Sequence, residues 1–303
     1  MVTPYFALTV NNIDVTLSIR DILIRLEYVD YANLKSDELN LTVEGAWNIP
    51  KEDDVMELWI GYEETGVWLA GTFVVQSLPF GKDSTTVRAT STNFSKTLKE
   101  KTTKTYKSTT LSKIVSKVAK RNALDFRCDI EEDVLYMAQK DESDLHFLTR
   151  LATEHDAVFK IKKDLLIFIK KEETTVVHVD LNECSSFSGE PKKREKYKSC
   201  TVSYHDSKEN KKIVITAGEG EPVLKMEEHF SSESEALIRA KKALKNSERK
   251  EFKGSFNIYG QDINAGAKLT LFGDSRLEDR EFSITKVTHS LGDGYVIWVE
   301  FEG

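Results

Sequence analysis

Two neighbouring segments near the middle of the chain decide how it folds. Residues 106–124 are YKSTTLSKIVSKVAKRNAL, and residues 138–171 are AQKDESDLHFLTRLATEHDAVFKIKKDLLIFIKK. In the first segment apolar residues recur at spacings of three and four, which is typical of a helix that buries one face. The pattern predicts a helix over about 109–122 with Ser108 or Thr109 as its N-cap. Its apolar stripe consists of Leu111, Ile114, Val115, Val118 and Ala119.

The second segment predicts another helix followed by a β-hairpin. Asp141, Glu142 and Asp144 mark the start of a helix over about 142–155, where the positive end of the helix dipole favours acids. Its apolar face consists of Leu145, Leu148, Leu151 and Ala152. The alternating run VFKIKKDLLIFI then predicts a hairpin that turns at 162–164. We therefore expect residues 105–172 to form a small α+β insert domain.

The residues before this insert predict short β-strands. Apolar and polar residues alternate in 5–10, 13–19, 22–31, 38–43, 55–80 and 84–92. Asn11-Asn12 predicts a tight turn, because asparagine tolerates a positive φ. Six or seven short strands with close turn signals are typical of a barrel or a sandwich. Residues 1–104 are thus predicted to be a first β domain.

Strand patterns return from about residue 174 and continue to the end of the chain. One amphipathic segment interrupts them and predicts a helix over about 232–249, capped by Ser231 or Ser232. Four glycine-punctuated strands follow. Residues 173–303 are thus predicted to be a second β domain that contains one helix, and the fold class is α+β, mainly β. Whether the two β domains share one shape is left open by the sequence.

Composition narrows the classes of protein. Net charge is -7, and the N-terminus lacks the basic and apolar regions of a signal peptide. No window approaches the ~18 uninterrupted apolar residues of a membrane span, so we expect no membrane anchor. Cys128, Cys184 and Cys200 are widely spaced and odd in number, which predicts reduced thiols in a cytosolic product.

The chain carries no recognisable catalytic, metal or cofactor motif. The six histidines form no HxH, HExxH or HxxxH pattern and are predicted to be structural or at the surface: His146, His155, His178, His205, His229 and His289. We expect a loop at 184–189, a solvated turn at Glu154-His155-Asp156, and an irregular segment at 218–226. The last segment lacks the phosphate-loop pattern GxxxxGK[ST]. No residue is therefore assigned a catalytic, cofactor-binding or metal-binding role.

Local basic and aromatic clusters are interpreted as surface or packing features. Lysines at 96–107 and the basic run at 192–198 lie among acidic and hydroxyl residues, without stacking aromatics between them. An acidic chain would also repel DNA, so no specific nucleic-acid binding is predicted. Four tryptophans lie on or beside predicted strands, where core or interface packing is expected: Trp47, Trp59, Trp68 and Trp298.

Taken in order, the segments resemble a known family. A β-rich half, TTLSKIVSKVAKRNAL, QKDESDLHFLTRLATEHDAVFKI and a glycine-punctuated β-rich end resemble the phage late control gene D proteins. These are the tail hub proteins of contractile phages, related to tailocin hubs and to the N-terminal part of VgrG spikes. The resemblance covers nearly the whole chain, and ESDLHFLTRLATEHDA is its most specific segment.

The resemblance implies a homotrimer whose subunits each contribute two tube-like β-barrels. Six barrels would then form a ring that joins a sixfold tail tube to a threefold spike. The chain ends directly after a predicted strand, so the spike is expected to be a separate protein. Expected partners are the spike and the tail tube protein, and they could include the tape measure and other baseplate proteins. The expected location is the virion tail, assembled in the host cytoplasm.

Other functions stay open at this point. The chain could be the hub of a related contractile injection or type VI-like system. It could instead be a carbohydrate-binding protein at the tail tip, which predicts an exposed aromatic platform. A tail-borne cell-wall hydrolase would need a pair of carboxylates in a cleft.

Overall fold

The computed structural model describes most of the chain, and it is mainly β, as predicted. It describes all residues except 1, 33–34, 48–49, 92–95, 163–164, 171–173, 192–196, 207–210, 228–232, 249–251, 279 and 293. The predicted hairpin turn at 162–164, His229, most of the basic run at 192–198 and the predicted caps Ser231 and Ser232 fall wholly or partly outside these residues.

Among its described residues, the first β unit contains seven strands and one short helix. They are β1 (Pro4–Val10), β2 (Ile13–Asp14), α1 (Thr16–Arg20), β3 (Leu23–Tyr31), β4 (Glu38–Glu44), β5 (Val55–Tyr62), β6 (Gly66–Ser77) and β7 (Ser84–Thr90). The strands are ordered β2-β1-β5-β6-β7-β4-β3, with antiparallel pairing throughout. Alternation places one side of the longer strands in the core; in β4, Leu39, Leu41 and Val43 are fully buried.

The turn at Asn11 and Asn12 is confirmed, since both residues have a positive φ. The predicted strand over 13–19 is wrong beyond Asp14, because the chain turns into α1 at Thr16. The Asp14 carboxylate accepts a hydrogen bond from the Thr16 amide at 2.8 Å, and the Thr16 hydroxyl accepts one from the Leu8 amide at 2.9 Å. Asp and Thr side chains can hydrogen-bond to nearby backbone groups in place of strand pairing, and here these bonds end the strand.

The middle unit contains both predicted helices and five strands. Its elements are α2 (Lys96–Lys99), β8 (Lys101–Thr110), α3 (Leu111–Arg121), β9 (Asp125–Cys128), β10 (Asp133–Ser143), α4 (Asp144–Glu154), β11 (Ala157–Lys162) and β12 (Leu165–Lys170). β8 pairs with β10, and β11, β12 and β9 form a second small sheet. The predicted hairpin pairing is confirmed in β11 and β12. Both helices pack their predicted apolar stripes into one core.

The helix starts differ slightly from the prediction. α3 begins at Leu111, and its cap is Thr110, whose hydroxyl accepts from the Lys113 amide at 3.4 Å. Ser108 and Thr109 are not the cap because both belong to β8. α4 is capped by Ser143, whose hydroxyl accepts from the His146 amide at 3.2 Å.

The remainder of the chain contains a second β unit and a smaller satellite. Its elements are β13 (Val176–Asp180), a 3-10 turn (Leu181–Glu183), β14 (Ser186–Pro191), β15 (Ser199–Asp206), β16 (Lys211–Gly218), β17 (Val223–Glu227), α5 (Glu233–Glu248), β18 (Phe252–Tyr259), β19 (Lys268–Phe272), β20 (Glu281–Leu291) and β21 (Tyr295–Glu302). The helix predicted over 232–249 is confirmed as α5. It packs on a separate sheet, β16-β15-β17, through Cys200, Val202, Ala236 and Ala240.

The two β units have the same strand order. In the first unit the order is β1-β5-β6-β7-β4-β3, and in the second it is β13-β19-β20-β21-β18-β14. When the six strands of each unit are numbered along the chain, with β2 and the satellite strands β15, β16 and β17 left out, both orders read 1-4-5-6-3-2. One difference is that β13 pairs with β19 in parallel, whereas β1 pairs with β5 antiparallel. The units therefore share one strand order, and the sequence alone had left open whether they are alike.

Candidate functional site

The most extensive contact between the two β units is a seam where β3 pairs with β20. Six residue pairs hold it, from Leu26–Leu291 to Tyr31–Lys286, so both units belong to one 13-stranded sheet. β20 pairs with β19 up to Ser283 and with β3 from Lys286, and a bulge lies between these positions. The seam fixes the relative placement of the units.

His289 lies at the centre of the seam and is fully buried. Its ring stacks on Tyr28 at 5.2 Å between centroids and meets the edge of Trp68 at 5.3 Å. Its Nδ1 lies 2.8 Å from the Tyr295 hydroxyl. Burial disfavours the imidazolium and lowers the pKa of His289 to about 4, so the ring is neutral near pH 7. His289 is thus part of the core at the seam.

A buried ion cluster joins the middle unit to both β units. The Lys160 ammonium on β11 contacts the Asp30 carboxylate and lies 3.9 Å from Asp37. The other Asp30 oxygen accepts from the Ala265 amide at 2.8 Å, and Asp37 accepts from the Tyr31 amide at 3.1 Å. One lysine thus links two carboxylates of the first unit, and through Asp30 the loop before β19.

The titration of this cluster follows from its burial. Burial raises the pKa of Asp37 to about 7, although the attraction of Lys160 opposes the rise. Burial alone would lower the pKa of Lys160, but the charges of Asp30 and Asp37 outweigh it and the pKa is raised. The two carboxylates hold a lysine between them, which suits a structural joint better than general acid–base work.

A second buried carboxylate organises the middle unit. Asp144, at the start of α4, is fully buried. It accepts hydrogen bonds at 2.7 Å from Arg121 Nε, Asn122 Nδ2 and Gln139 Nε2. Its position at a helix start was predicted from the sequence, but its burial was not, because an acid beside the helix dipole is usually solvated. The donors come from α3 and β10, so Asp144 ties the helices and the β8–β10 pair together.

Three other histidines, among the described side chains, each lie beside a carboxylate or a hydroxyl group. His146 lies 2.8 Å from Glu142, His155 lies 2.6 Å from Glu132, and His178 lies 2.5 Å from Thr270. The turn is confirmed, since α4 ends at Glu154 and Asp156 has a positive φ. It is less solvated than predicted: the side chains of Glu154 and His155 are only 14% and 13% exposed.

The two remaining candidate segments differ in how well they match the prediction. The segment 184–189, predicted to be a loop, is a strand from Ser186 onward, because it pairs with β18 as β14. The segment 218–226, predicted to be irregular, is irregular only at 219–222: Gly218 ends β16, and 223–226 belong to β17, which pairs with β15. Within the described part of the chain, no group of three or more His, Cys, Asp and Glu side chains could hold a metal ion. None of the helices in that part has the length and apolar character to cross a bilayer.

Exposed apolar side chains mark candidate assembly surfaces. Phe80, after β6, is 86% exposed, and Tyr259, at the end of β18, is 78% exposed. Val296 pairs with Tyr259, and Trp298 lies two residues further along β21 on the same face; both are partly exposed. Large exposed apolar groups on a folded chain indicate contact with another molecule more often than chemistry. The geometry therefore favours an assembly component.

Comparisons with known proteins agree with this assignment. The sequence profile of the "Phage tail baseplate hub (GPD)" family matches residues 81–295. A "Probable baseplate hub protein" of Escherichia phage 186 is 32% identical over 177 residues, which are 55% of this chain and 45% of the relative. The matched region is thus less than half the length of that relative.

Two solved structures share the fold. The 43 kDa tail protein of prophage MuSo2 from Shewanella oneidensis superposes with a TM-score of 0.74 at 14% identity, covering 99% of this chain and 98% of that one. The E. coli c3393 protein, a component of the type VI secretion system, superposes with a TM-score of 0.56 at 12% identity, covering 97% of this chain and 76% of that one. At these identities the likeness concerns the fold alone.

Proposed function

Because the chain belongs to the phage tail baseplate hub (GPD) family, we propose that it is the trimeric hub of a contractile tail. In this role it joins the sixfold tail tube to a threefold spike in the virion baseplate. The proposal is mechanical: the subunit holds its neighbours in place during contraction, and it transforms no substrate.

The observation that carries this proposal is the repeated strand order of the two β units. Three copies of a chain with two like units present six like units around a threefold axis, which allows a near-sixfold ring to meet a threefold partner. The seam supports this role, since it shows that two units can join edge to edge in a continuous sheet. We propose that each unit closes into a tube-like barrel when the ring forms.

A ring of this kind also explains the exposed edges. Unpaired strand edges and exposed apolar side chains invite association, and a hub would cover them with neighbouring subunits, tube and spike. The joint at Lys160, Asp30 and Asp37 would brace the middle unit against the ring. Transmission of force requires an extensive interface of this type.

A related machine is the second candidate. The likeness to the type VI component c3393 favours the hub of a contractile injection system other than a phage. The same ring would serve there, so the distinction lies in the partners. Genes for capsid proteins beside this one would favour a phage, and their absence from an otherwise complete tail cluster would favour the injection system.

The solution mass of the purified chain tests the proposed function. We expect about three times the 34.5 kDa of one subunit by light scattering, either alone or on addition of the candidate spike protein. The trimer should also bind the tube protein in a pull-down. A chain that stays monomeric and binds neither partner would overturn the proposal.

A further inference from the structure

The seam provides a template for adding one β unit to the edge of another. The Ala32 amide donates to the Thr285 carbonyl at 3.0 Å across the seam. Backbone groups point to alternate sides along a strand, so Tyr28 and His289, which lie opposite each other, also direct their N–H and C=O groups at one another. The pair Tyr28–His289 is therefore hydrogen-bonded and lies at the middle of the seam.

Bulges in the two units identify equivalent positions in β6 and β20. The pairing of β6 with β7 skips Gln76, and the pairing of β20 with β21 skips Thr285 in the same way. Four residues beyond each skipped residue lie Phe80 and His289. Phe80 forms an antiparallel bridge to Thr85, just as His289 pairs with Ile297. Phe80 is thus the first unit's equivalent of the buried His289.

The outer edge strands of the two units correspond in the same way. The chain of pairs Tyr28–Leu39–Ala89 crosses the first unit, and the chain Gly189–Gly254–Phe301 crosses the second. Ala89 and Phe301 each pair with the residue just before the skipped one. Gly189 on β14 is thus the equivalent of Tyr28 on β3.

The backbone of both equivalent positions is directed outward. Phe252 and Gly303 exchange two hydrogen bonds of 2.8 and 3.0 Å, so alternation directs Ser188 toward β18 and Gly189 away from it. Near Phe80, Gly81 donates to Ser84 and Thr86 donates to Pro79, which directs the Phe80 backbone away from β7. In the residues that the structure describes, no strand pairs with the outer edge of β14.

We propose that β14 pairs antiparallel with residues 77–82 of a second copy of this chain and repeats the internal seam between subunits. The register places Gly189 opposite Phe80 of the neighbour, Ser188 opposite Gly81 and Phe187 opposite Lys82. This head-to-tail contact rests on the proposed function in one respect, namely that it closes into a ring of three copies.

The side chains on the two edges are complementary. Phe80 is 86% exposed in the single chain, whereas its equivalent His289 is fully buried. At Gly189 the rings of Phe252 and Phe187 fill the space where a side chain would lie, and an added Cβ would overlap Phe252. The neighbour's Phe80 would pack against these two rings, which lie over Gly189 with no side chain in between.

Proline in the acceptor segment does not block the pairing. The Pro79 carbonyl faces β7, so the missing amide hydrogen of Pro79 also falls on the β7 side. By alternation the outward-facing positions of this segment are Leu78, Phe80 and Lys82, and all three keep their N–H groups. On β14, Pro191 faces outward opposite Leu78 and has no N–H, so that pair would keep only the bond from the Leu78 N–H to the Pro191 carbonyl. The pairs Gly189–Phe80 and Phe187–Lys82 would keep both bonds.

Engineered cysteines test the register. In the proposed pairing Ser188 and Gly81 form a non-hydrogen-bonded pair, with Cα atoms about 4.5 Å apart, which is within disulfide range. We expect the double variant Ser188→Cys/Gly81→Cys to give covalent dimers and trimers on a non-reducing denaturing gel after mild oxidation. The matched control is Ser186→Cys/Gly81→Cys, two residues out of register on the same edge, and it should cross-link at least tenfold less. The native thiols are present in both variants and in the wild-type chain.

The gel distinguishes failure of this pairing from failure of the proposed trimer. No cross-link above the control in a chain that is trimeric by mass would overturn the pairing and leave the trimer intact. A ladder that continues beyond three subunits would support the pairing and contradict the trimer. A monomeric chain without cross-links would overturn both.

A charge at Phe80 tests the anchor. Burial of a phenylalanine is worth enough that Phe80→Asp should raise the Kd of subunit association at least roughly tenfold, with an unchanged thermal unfolding midpoint at concentrations where both chains are monomeric. Leu17→Asp is the matched control, since Leu17 on α1 is 74% exposed but lies outside the proposed pair. Equal association of the wild type and Phe80→Asp would contradict the proposal.

Discussion

Two buried carboxylate clusters show how differently this chain treats the inside of a unit and the joint between units. Inside the middle unit, the single carboxylate of Asp144 is matched by one guanidinium and two amides. At the joint, Asp30 and Asp37 share one ammonium, that of Lys160. The first arrangement balances its charge, and the second contains an excess negative charge that a proton can neutralise. The inside of the unit is thus built for stability, and the joint responds to pH.

The largest effect is expected when the balanced cluster is broken. Asp144→Asn keeps the shape of the side chain but leaves Arg121, which is only 20% exposed, without its counter-ion. Loss of one partner of a buried pair typically costs 3–5 kcal/mol, and the partial exposure of Arg121 favours about 3 kcal/mol of unfolding free energy. Urea unfolding followed by far-UV circular dichroism measures it.

The control for that variant lies three residues away. Asp141 contacts Lys101 at 3.4 Å, and both side chains are mostly exposed. Asp141→Asn should change stability by less than about 0.5 kcal/mol. A similar loss in both variants would show that the buried network around Asp144 does not organise the middle unit.

A smaller loss is expected when the joint loses its cation. Lys160→Met leaves Asp30 and Asp37 buried side by side, but a proton taken up by Asp37 limits the cost to about 2 kcal/mol near neutral pH. The loss should grow above pH 8 and shrink below pH 5, which thermal unfolding across pH would detect. Lys170→Met, an exposed lysine of the same hairpin, is the control and should show no pH-dependent loss.

Local sequence patterns predicted most helices and strands, but they did not predict which distant residues contact each other. The stripe from Leu111 to Ala119 specifies α3 because a helix buries residues that are close in the sequence. Alternation along β20 indicates which side chains are buried but not that the strand changes partner from β19 to β3. The contact of Lys160 with Asp30 spans 130 residues, and neither residue belongs to a motif.

The equivalence of His289 and Phe80 could not be predicted, for a related reason. His289 and Phe80 look unrelated in the sequence, since one is a lone histidine and the other follows a strand before a turn. Only the common bulge in β6 and β20 shows that they occupy equivalent positions. A bulge is a feature of pairing, so a single strand carries no sign of it. The sequences of the two units can be aligned residue by residue only when the strand pairings in each unit are known.

The most specific prediction concerns the pH dependence of the joint. The pKa of Asp37 is raised from its ordinary 3.8 to about 7, so the folded chain holds this proton more tightly than the unfolded chain. The resulting stability is present in full below pH 3.8 and is lost as the pH rises to about 7. Asp37→Asn cannot titrate and should lack this slope, so it should become more stable relative to the wild type as the pH rises from 4 to 8. Parallel profiles of unfolding midpoint against pH from 4 to 8 for the two chains would show that Asp37 does not titrate in the joint, and the contrast with Asp144 would then lose its physical basis.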